Sequence, residues 1–229
     1  MQRNGMRLTV FAATGGVGRQ ILEQAVTAGH DVTAVVRSPQ KLSEYAETVR
    51  VVTADLANPD PTALKAAVNG ADAVLSGLGP RSQAEAGVAT EGTRAMVAAM
   101  MAAGVRRLAV VSAAPVGTVP SPDRPSPPKH DPGDNLIMRH LLGPLLKRVL
   151  RRHHADLATM EYLVRTSNLD WTIVRPPRLT NDPLTGRYRT ARGQNVRGGW
   201  SISRADVAHL MLGVLEQPAT FREVVAIAN

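Results

Sequence analysis

Residues 8–18 read Leu8-Thr9-Val10-Phe11-Ala12-Ala13-Thr14-Gly15-Gly16-Val17-Gly18, a short apolar strand running straight into a glycine-rich turn. Glycines at 15 and 18 let a backbone pass close under a ligand, and a helix opening near Gly16 presents unpaired amides and the positive end of its dipole. This is the local arrangement that holds a dinucleotide pyrophosphate, so an anion is expected at Thr14, Gly15, Gly16, Val17 and Gly18. Glycines at a strand end are also ordinary turn residues, and the surroundings must decide. They favour the nucleotide: a helix-length stretch at 19–28 stops at Gly29, and β-branched residues alternate at 31–36, which completes a βαβ unit. Ala12 stands where the usual pattern has its first glycine, leaving the looser Thr-Gly-x-x-Gly form; alanine still permits a tight turn.

The alternation continues outward. Further strands are expected at 50–54, 72–76, 107–112, 171–174 and 222–227. Helices are expected at 39–46, 61–68, 84–103, 135–154, 156–166 and from Ser203 or Asp206 to about 216. Strands and helices that alternate this way predict an α/β fold, a Rossmann-type doubly wound parallel sheet in a three-layer α/β/α sandwich. A chain of 229 residues with 44% hydrophobic residues supports one domain over 1–229. Seven prolines between 115 and 132 forbid regular structure over 115–133 and predict a loop, either a lid near the ligand crevice or a surface insertion. A turn at Pro183-Leu184-Thr185-Gly186 and a small hairpin at 187–197 belong to a substrate-side segment at about 176–200.

The net charge of +8 raises nucleic acid as a partner, so the placement of the basic residues matters. One cluster is Arg139, Lys147, Arg148, Arg151 and Arg152, on a helix whose apolar stripe argues for a solvated basic face rather than a membrane surface. The other is Arg175, Arg178, Arg187, Arg189, Arg192, Arg197 and Arg204, opposed only by Asp182. Aromatic residues make up 3% of the chain, poor material for stacking bases, and no nucleic-acid motif accompanies the charge, so no nucleic acid is expected. The histidines at 140, 153 and 154 match no metal template and read as surface residues; no metal is expected. Without cysteines the chain has neither disulfides nor thiolate metal sites, and no apolar run approaches the roughly 20 residues of a membrane span. A soluble, cytoplasmic protein is expected, a monomer being favoured.

Ala-Thr-Gly-Gly-Val-Gly at 13–18, Val-Val-Arg-Ser at 35–38, Asp55, Val-Ser-Ala at 111–113 and Arg-Pro-Pro-x-Leu at 175–179 occur in that order. Pro-Leu-Thr-Gly-x-Tyr at 183–188 and Ile-Ser-x-x-Asp at 202–206 follow. Over nearly the whole chain this resembles the NAD(P)H-binding group of atypical short-chain dehydrogenases that contains biliverdin-IXβ reductase, also called flavin reductase. The resemblance implies that Asp55 and Leu56 meet the adenine region and that Gly77, Leu78 and Gly79 pass beside the ribose and pyrophosphate. It also places Pro176 near the cofactor and Ser112 beside the nicotinamide, as the catalytic candidate. Arg178 departs from the group, which carries a histidine there beside the substrate.

Cofactor choice follows from charge. NAD enzymes place an acidic side chain at the end of the second strand to accept from the ribose hydroxyls, whereas this chain has Arg37, suited to a bidentate contact with the 2′-phosphate of NADP, helped by Ser38 and Lys41. NADP(H) is therefore expected. The wider superfamily's Tyr-x-x-x-Lys pair is absent: Tyr45, Tyr162 and Tyr188 are followed four residues later by Val49, Thr166 and Arg192. Hydride transfer to an electron-poor conjugated ring needs less from the protein, and arginines at 178, 187, 189 and 192 favour an anionic acceptor. The expected function is an NADPH-dependent reductase of a planar anionic acceptor, flavin or tetrapyrrole-like, with Arg178 and Arg187 on the substrate. Two alternatives stay open: a redox-sensing regulator that binds the dinucleotide without turnover, and an epimerase or isomerase of the same fold.

Overall fold

The computed structural model describes residues 5–79, 85, 87–134 and 150–229. Strand β1 (Arg7–Phe11) leads through the glycine turn into helix α1 (Gly16–Thr27) and β2 (Asp31–Val36); a 3-10 helix (Pro39–Tyr45) follows, then β3 (Val49–Thr53), α2 (Pro61–Val68) and β4 (Ala73–Ser76). The second half begins with α3 (Val88–Ala103) and β5 (Arg107–Val111), and after the proline-rich segment come α4 (Arg151–Thr166) and β6 (Asp170–Arg175). Short strands β7 (Arg178–Thr180), β8 (Arg189–Arg192) and β9 (Ser201–Ser203) precede α5 (Arg204–Gly213) and β10 (Glu223–Ala228).

The main sheet has the order β3-β2-β1-β4-β5-β6-β10-β8. All pairs are parallel except β10–β8. The chain winds outward from β1 in one direction to β3 and then in the other through β4, so the direction reverses between β1 and β4. Crevices for ligands form at the carboxyl ends of strands at such a point. Alternation along β1 supplies both faces: Leu8 and Val10 pack with α1 and α5, while Phe11 packs with α2, α3 and α4. The α/β doubly wound expectation therefore holds. Among the described residues no helix is long and apolar enough to cross a membrane.

Three local expectations change. The chain does not break between 154 and 156: α4 runs on as one helix because His154-Ala155-Asp156 contains no breaker, and Asp156 turns its side chain away to cap another helix. The remainder of the basic helix, 135–149, lies outside the described residues. The 187–197 segment is not a hairpin; β8 pairs instead with β10, as an antiparallel edge strand of the main sheet. The proline-rich loop is held in place: Arg165 forks onto Asp123 at 2.9 and 3.1 Å, and buried Asp131 accepts from the amides of Gly133 and Asn195. It also opens with a 3-10 helix (Ala114–Thr118), so regular structure is not wholly excluded there, and none of its residues lines the crevice at the glycine turn.

Candidate functional site

Helix α1 begins differently from its neighbours. Asp60 caps α2, Ser203 caps α5, and α3 receives the carboxylate of Asp156, which accepts from the amides of Gly87, Ala89 and Thr90. At α1 the capping position is Gly15, with no side-chain cap and no acidic residue in the first turn. The end that a phosphate needs is left open. Close packing fixes the glycines there. A Cβ on Gly18 would stand 2.1 Å from the Ala12 carbonyl oxygen, and one on Gly77 would stand 2.5 Å from the Gly18 nitrogen, so strand ends β1 and β4 meet the helix directly. Ala12 takes the left-handed conformation at φ 54° and accepts a hydrogen bond from the Gly15 amide at 2.8 Å. The missing first glycine is thus less mild than expected, since left-handed backbone is strained for alanine.

A cleft of about 500 Å³ opens along this turn. Of the residues anticipated from sequence, Thr14, Gly15, Gly16, Val17, Arg37, Asp55, Leu56, Gly77, Leu78, Gly79 and Ser112 line it together. Gly18 packs beneath rather than facing it. Leu56 and Leu78 rest on Gly92 of α3, where an added Cβ would meet Leu78 at 2.5 Å and Leu56 at 3.2 Å. Arg37, largely exposed, lies 3.7 Å from Glu85, a second cleft residue at the outer end.

The other four candidates stand outside the lining. Ser38 and Pro176 are not part of it, and the Pro176 carbonyl accepts from the Ala114 amide. Arg178 alternates along β7 with Leu179, and it is Leu179 that faces the cleft, leaving Arg178 exposed on the other side. Arg187 is exposed in the loop after Gly186, its amide donating to Thr185 Oγ1. The second basic cluster is split: Arg178, Arg187, Arg189, Arg192 and Arg197 are exposed, while the other two are not. Arg175 is buried, Arg189 donates to the carbonyls of Arg197 and Asn229, and Arg204 reaches the glycine turn.

At the inner end Ser112 is buried, and its hydroxyl donates to Glu161 Oε1 at 2.7 Å. Glu161 is wholly buried. Its carboxylate accepts from Arg175 Nε at 2.8 Å and Nη2 at 2.5 Å, and from Arg165 Nη1 at 2.9 Å. Arg165 in turn grips Asp123, whose carboxyl it holds below the usual range. With its proton committed to Glu161, Ser112 offers lone pairs to the cleft: it can accept from an amide N–H but has no proton left to give.

Helix α4, anchored to α3 through Asp156, turns His153 and Leu157 toward the same end. Burial lowers the His153 pKa below its ordinary value, against the pull of Asp156, so the imidazole is neutral at neutral pH. These two residues, four apart on one helix face, supply no phenol–ammonium pair.

Sequence reading missed Glu161, Arg175, His153, Glu85 and Arg204 as site residues. One signal was available: Glu161 falls among Leu157, Met160 and Val164 on the apolar face of a helix, where a lone carboxylate needs a buried cation. Nothing in the local sequence pairs it with Arg175.

An uncapped helix end at the reversal point of a doubly wound sheet, with a cleft running along it, defines a dinucleotide-binding α/β protein. A family model described as NAD(P)H-binding matches residues 12–218, and the chain belongs to that family. This agrees with the resemblance to atypical short-chain dehydrogenases. Among its relatives is the protein YwnB of Bacillus subtilis, 28% identical over 225 residues that cover 93% of this chain and 93% of the relative. The fold is shared with ChuY of Escherichia coli O157:H7, described as an anaerobillin reductase, at TM-score 0.74 and 23% identity over 97% of this chain and 96% of ChuY. It is shared too with a short-chain dehydrogenase/reductase of Veillonella parvula, solved in complex with NADP, at TM-score 0.74 and 19% identity over 98% of this chain and 94% of the other.

Proposed function

We propose that the protein is an NADPH-dependent reductase that delivers hydride to a planar, anionic acceptor, a flavin before a tetrapyrrole. The observation that carries this is one cleft that joins three groups: the open start of α1, Arg37 at the end of β2, and Ser112 at the end of β5. The residues fit the cofactor. The α1 amides take the diphosphate, and the Arg37 guanidinium meets a 2′-phosphate better than the hydroxyl of NAD. Leu56, Leu78 and the Gly77–Gly79 backbone form the apolar floor and the flat path along it. When bound, the nicotinamide supplies two electrons and a proton as hydride. The Ser112 oxygen, fixed by Glu161, would accept a hydrogen bond from the carboxamide. Water supplies the further proton. The arginines at 178, 187 and 192, exposed around the substrate-side segment, set a positive field rather than direct contacts and draw an anionic acceptor. The solved relatives described as an anaerobillin reductase and as an NADP complex support the same reading.

The test is to mix the purified protein with NADPH and flavin mononucleotide, then with NADPH and biliverdin, and to follow the nicotinamide absorbance. Saturable oxidation with either is expected. NADPH binding without turnover of any acceptor would instead favour a redox-sensing regulator, a role that the absent Tyr-x-x-x-Lys pair suits. A protein that binds neither nicotinamide nucleotide is neither.

A further inference from the structure

Arg204 is the first residue of α5, and its guanidinium is divided between two parts of the molecule. Nη1 donates to the Thr180 carbonyl at 3.1 Å and to Asn181 Oδ1 at 2.7 Å, which uses both of its hydrogens on the loop after β7. Among the described residues, Nε and Nη2 have no hydrogen-bond partner, and no carboxylate forms an ion pair with this side chain. That free edge lies on the phosphate turn: a Cβ on Gly16 would stand 2.5 Å from Nε and 2.7 Å from Cδ. A side chain at position 16 would therefore displace the arginine packed on it.

Arg204 lines both the cleft and a second cavity of about 370 Å³, which shares Thr14, Gly15 and Gly16 with the cleft and is bordered by Arg19, Asn181, Asp182 and Pro183 on its wall. Two carboxylates satisfy the other cation on that wall, Arg19, which pairs with Glu23 and Glu44. Asp182 accepts from the Thr180 hydroxyl at 2.6 Å. Arg204 is left as a cation with an unused planar edge beside the open end of α1. A pair of neighbouring N–H groups in one plane is the donor set that matches two oxygens of a phosphate.

We infer that Arg204 binds the diphosphate of the dinucleotide through its Nε–Nη2 edge while Nη1 keeps hold of residues 180–181, so that the cofactor latches the substrate-side segment onto the glycine turn. This rests on the dinucleotide reading above. The α1 amides reach the diphosphate from one side with partial charge; Arg204 reaches it from the other with a full one. The same first turn of α5 steadies the rest of the segment, since Asp206 accepts from the amides of Thr185 and Gly186 at 3.0 and 2.8 Å. A diphosphate at Arg204 thereby orders the loop that borders the acceptor's end of the cleft, and the acceptor finds its wall in place only after the cofactor has bound.

Calorimetric titration of the full chain, as wild type, Arg204→Gln and Arg204→Lys, with NADPH, NADH and adenosine 2′-monophosphate tests this. Losing hydrogen bonds to a charged group should weaken NADPH and NADH alike in the glutamine variant, by about ten- to a hundredfold. The monophosphate, which has no diphosphate, should bind within about twofold of wild type, since hydrogen-bond losses fall only where the contact existed. Lysine, a point charge without the fork, should recover part of the loss. Amide exchange at 178–186 should slow when NADPH is added to wild type and stay unchanged in Arg204→Gln. Wild-type affinity for NADPH in the glutamine variant overturns the phosphate contact, as does an equal loss of the monophosphate. Unaltered exchange in liganded wild type overturns the latch, even should neither variant fold. Failure of the dinucleotide reading itself is visible earlier, as folded wild type that binds neither NADPH nor NADH.

Discussion

The two ends of the cleft are built on different principles. At the phosphate end the main chain does the work: an uncapped helix start, glycines that allow backbone to touch backbone, and one strained alanine. At the inner end everything depends on side chains drawn from α4, β5 and β6, with Glu161 buried at the junction of Ser112, Arg165 and Arg175. A backbone site tolerates changes of side chain and fails by steric clash. A buried charge network fails when one member loses its partner.

The largest effect should therefore come from Glu161→Ala. Removing one partner of a buried ion pair leaves an uncompensated charge, and Arg175 would remain enclosed without its carboxylate, at a cost of about 3–5 kcal/mol. Denaturant unfolding measures this. Glu161→Gln keeps the shape and one acceptor and should cost less, while freeing the Ser112 hydroxyl to rotate. A glutamine variant as stable as wild type, with unchanged turnover, would show that the network neither holds the fold nor positions the serine.

The phosphate end should respond in affinity instead. Arg37→Glu is expected to weaken NADPH binding by about 1.5–3 kcal/mol, the worth of hydrogen bonds to a charged group, and NADH much less. Equal losses for both nucleotides would remove the 2′-phosphate role. Glu85 sharpens the same point, because its carboxylate competes for Arg37 across 3.7 Å. Glu85→Gln should tighten NADPH only slightly, by about 0.2–1 kcal/mol, as expected for a mostly exposed pair.

These two ends also differ in how much of them could be read from sequence. The phosphate end was legible because its determinants are local: the turn, the helix stop at Gly29, the strand and Arg37 all fall within one βαβ unit. Period-two and helical patterns carried the rest of the sheet, and so strands β1 to β6 and β10 fell close to expectation. The inner end was not legible, since Ser112 and Glu161 are 49 residues apart and only tertiary packing joins them. The substrate-side arginines do not line the cleft, for a related reason. Clustered in sequence from 175 to 204, they alternate along short strands and turns, so neighbours in the chain point to opposite sides. Arg204 came to the cleft through its place at the head of a helix, which charge counting does not detect.

Between the two ends stands Asp206, and pH separates its contribution. Burial opposes its ionisation, but hydrogen bonds from Ser203, Gly186 and Thr185 outweigh that and hold the carboxyl below its usual value. A depressed carboxyl stabilises the fold above its unfolded value near pH 4 and loses that contribution as pH falls through its folded value. Stability of the wild type should fall on acidification over that range, and Asp206→Asn should fall less steeply. At neutral pH the variant should be less stable by about 1 kcal/mol, because a neutral amide oxygen accepts these hydrogen bonds more weakly than a carboxylate. Parallel acid curves for the two proteins would assign the loss to other carboxylates.

Ala12 offers the sharpest contrast with Glu161. Its φ of 54° costs an L-residue about 1–2 kcal/mol, which glycine would not incur. Glycine also widens the unfolded ensemble, which offsets about 0.4–1 kcal/mol of the relief. Ala12→Gly should therefore stabilise the chain by about 0–1.6 kcal/mol, the difference of those two terms. Its NADPH affinity should stay within about twofold, a change small against the tenfold per 1.4 kcal/mol that a lost contact brings. Ala12 O accepts from the Gly15 amide, and that hydrogen bond survives the substitution because it belongs to the main chain. A marked loss of affinity in a protein of unchanged or raised stability would mean that the strained alanine, and not the amides alone, shapes the diphosphate pocket. The backbone end would then depend on a side chain after all, and the distinction between the two ends would narrow to the difference between a methyl group and a buried charge.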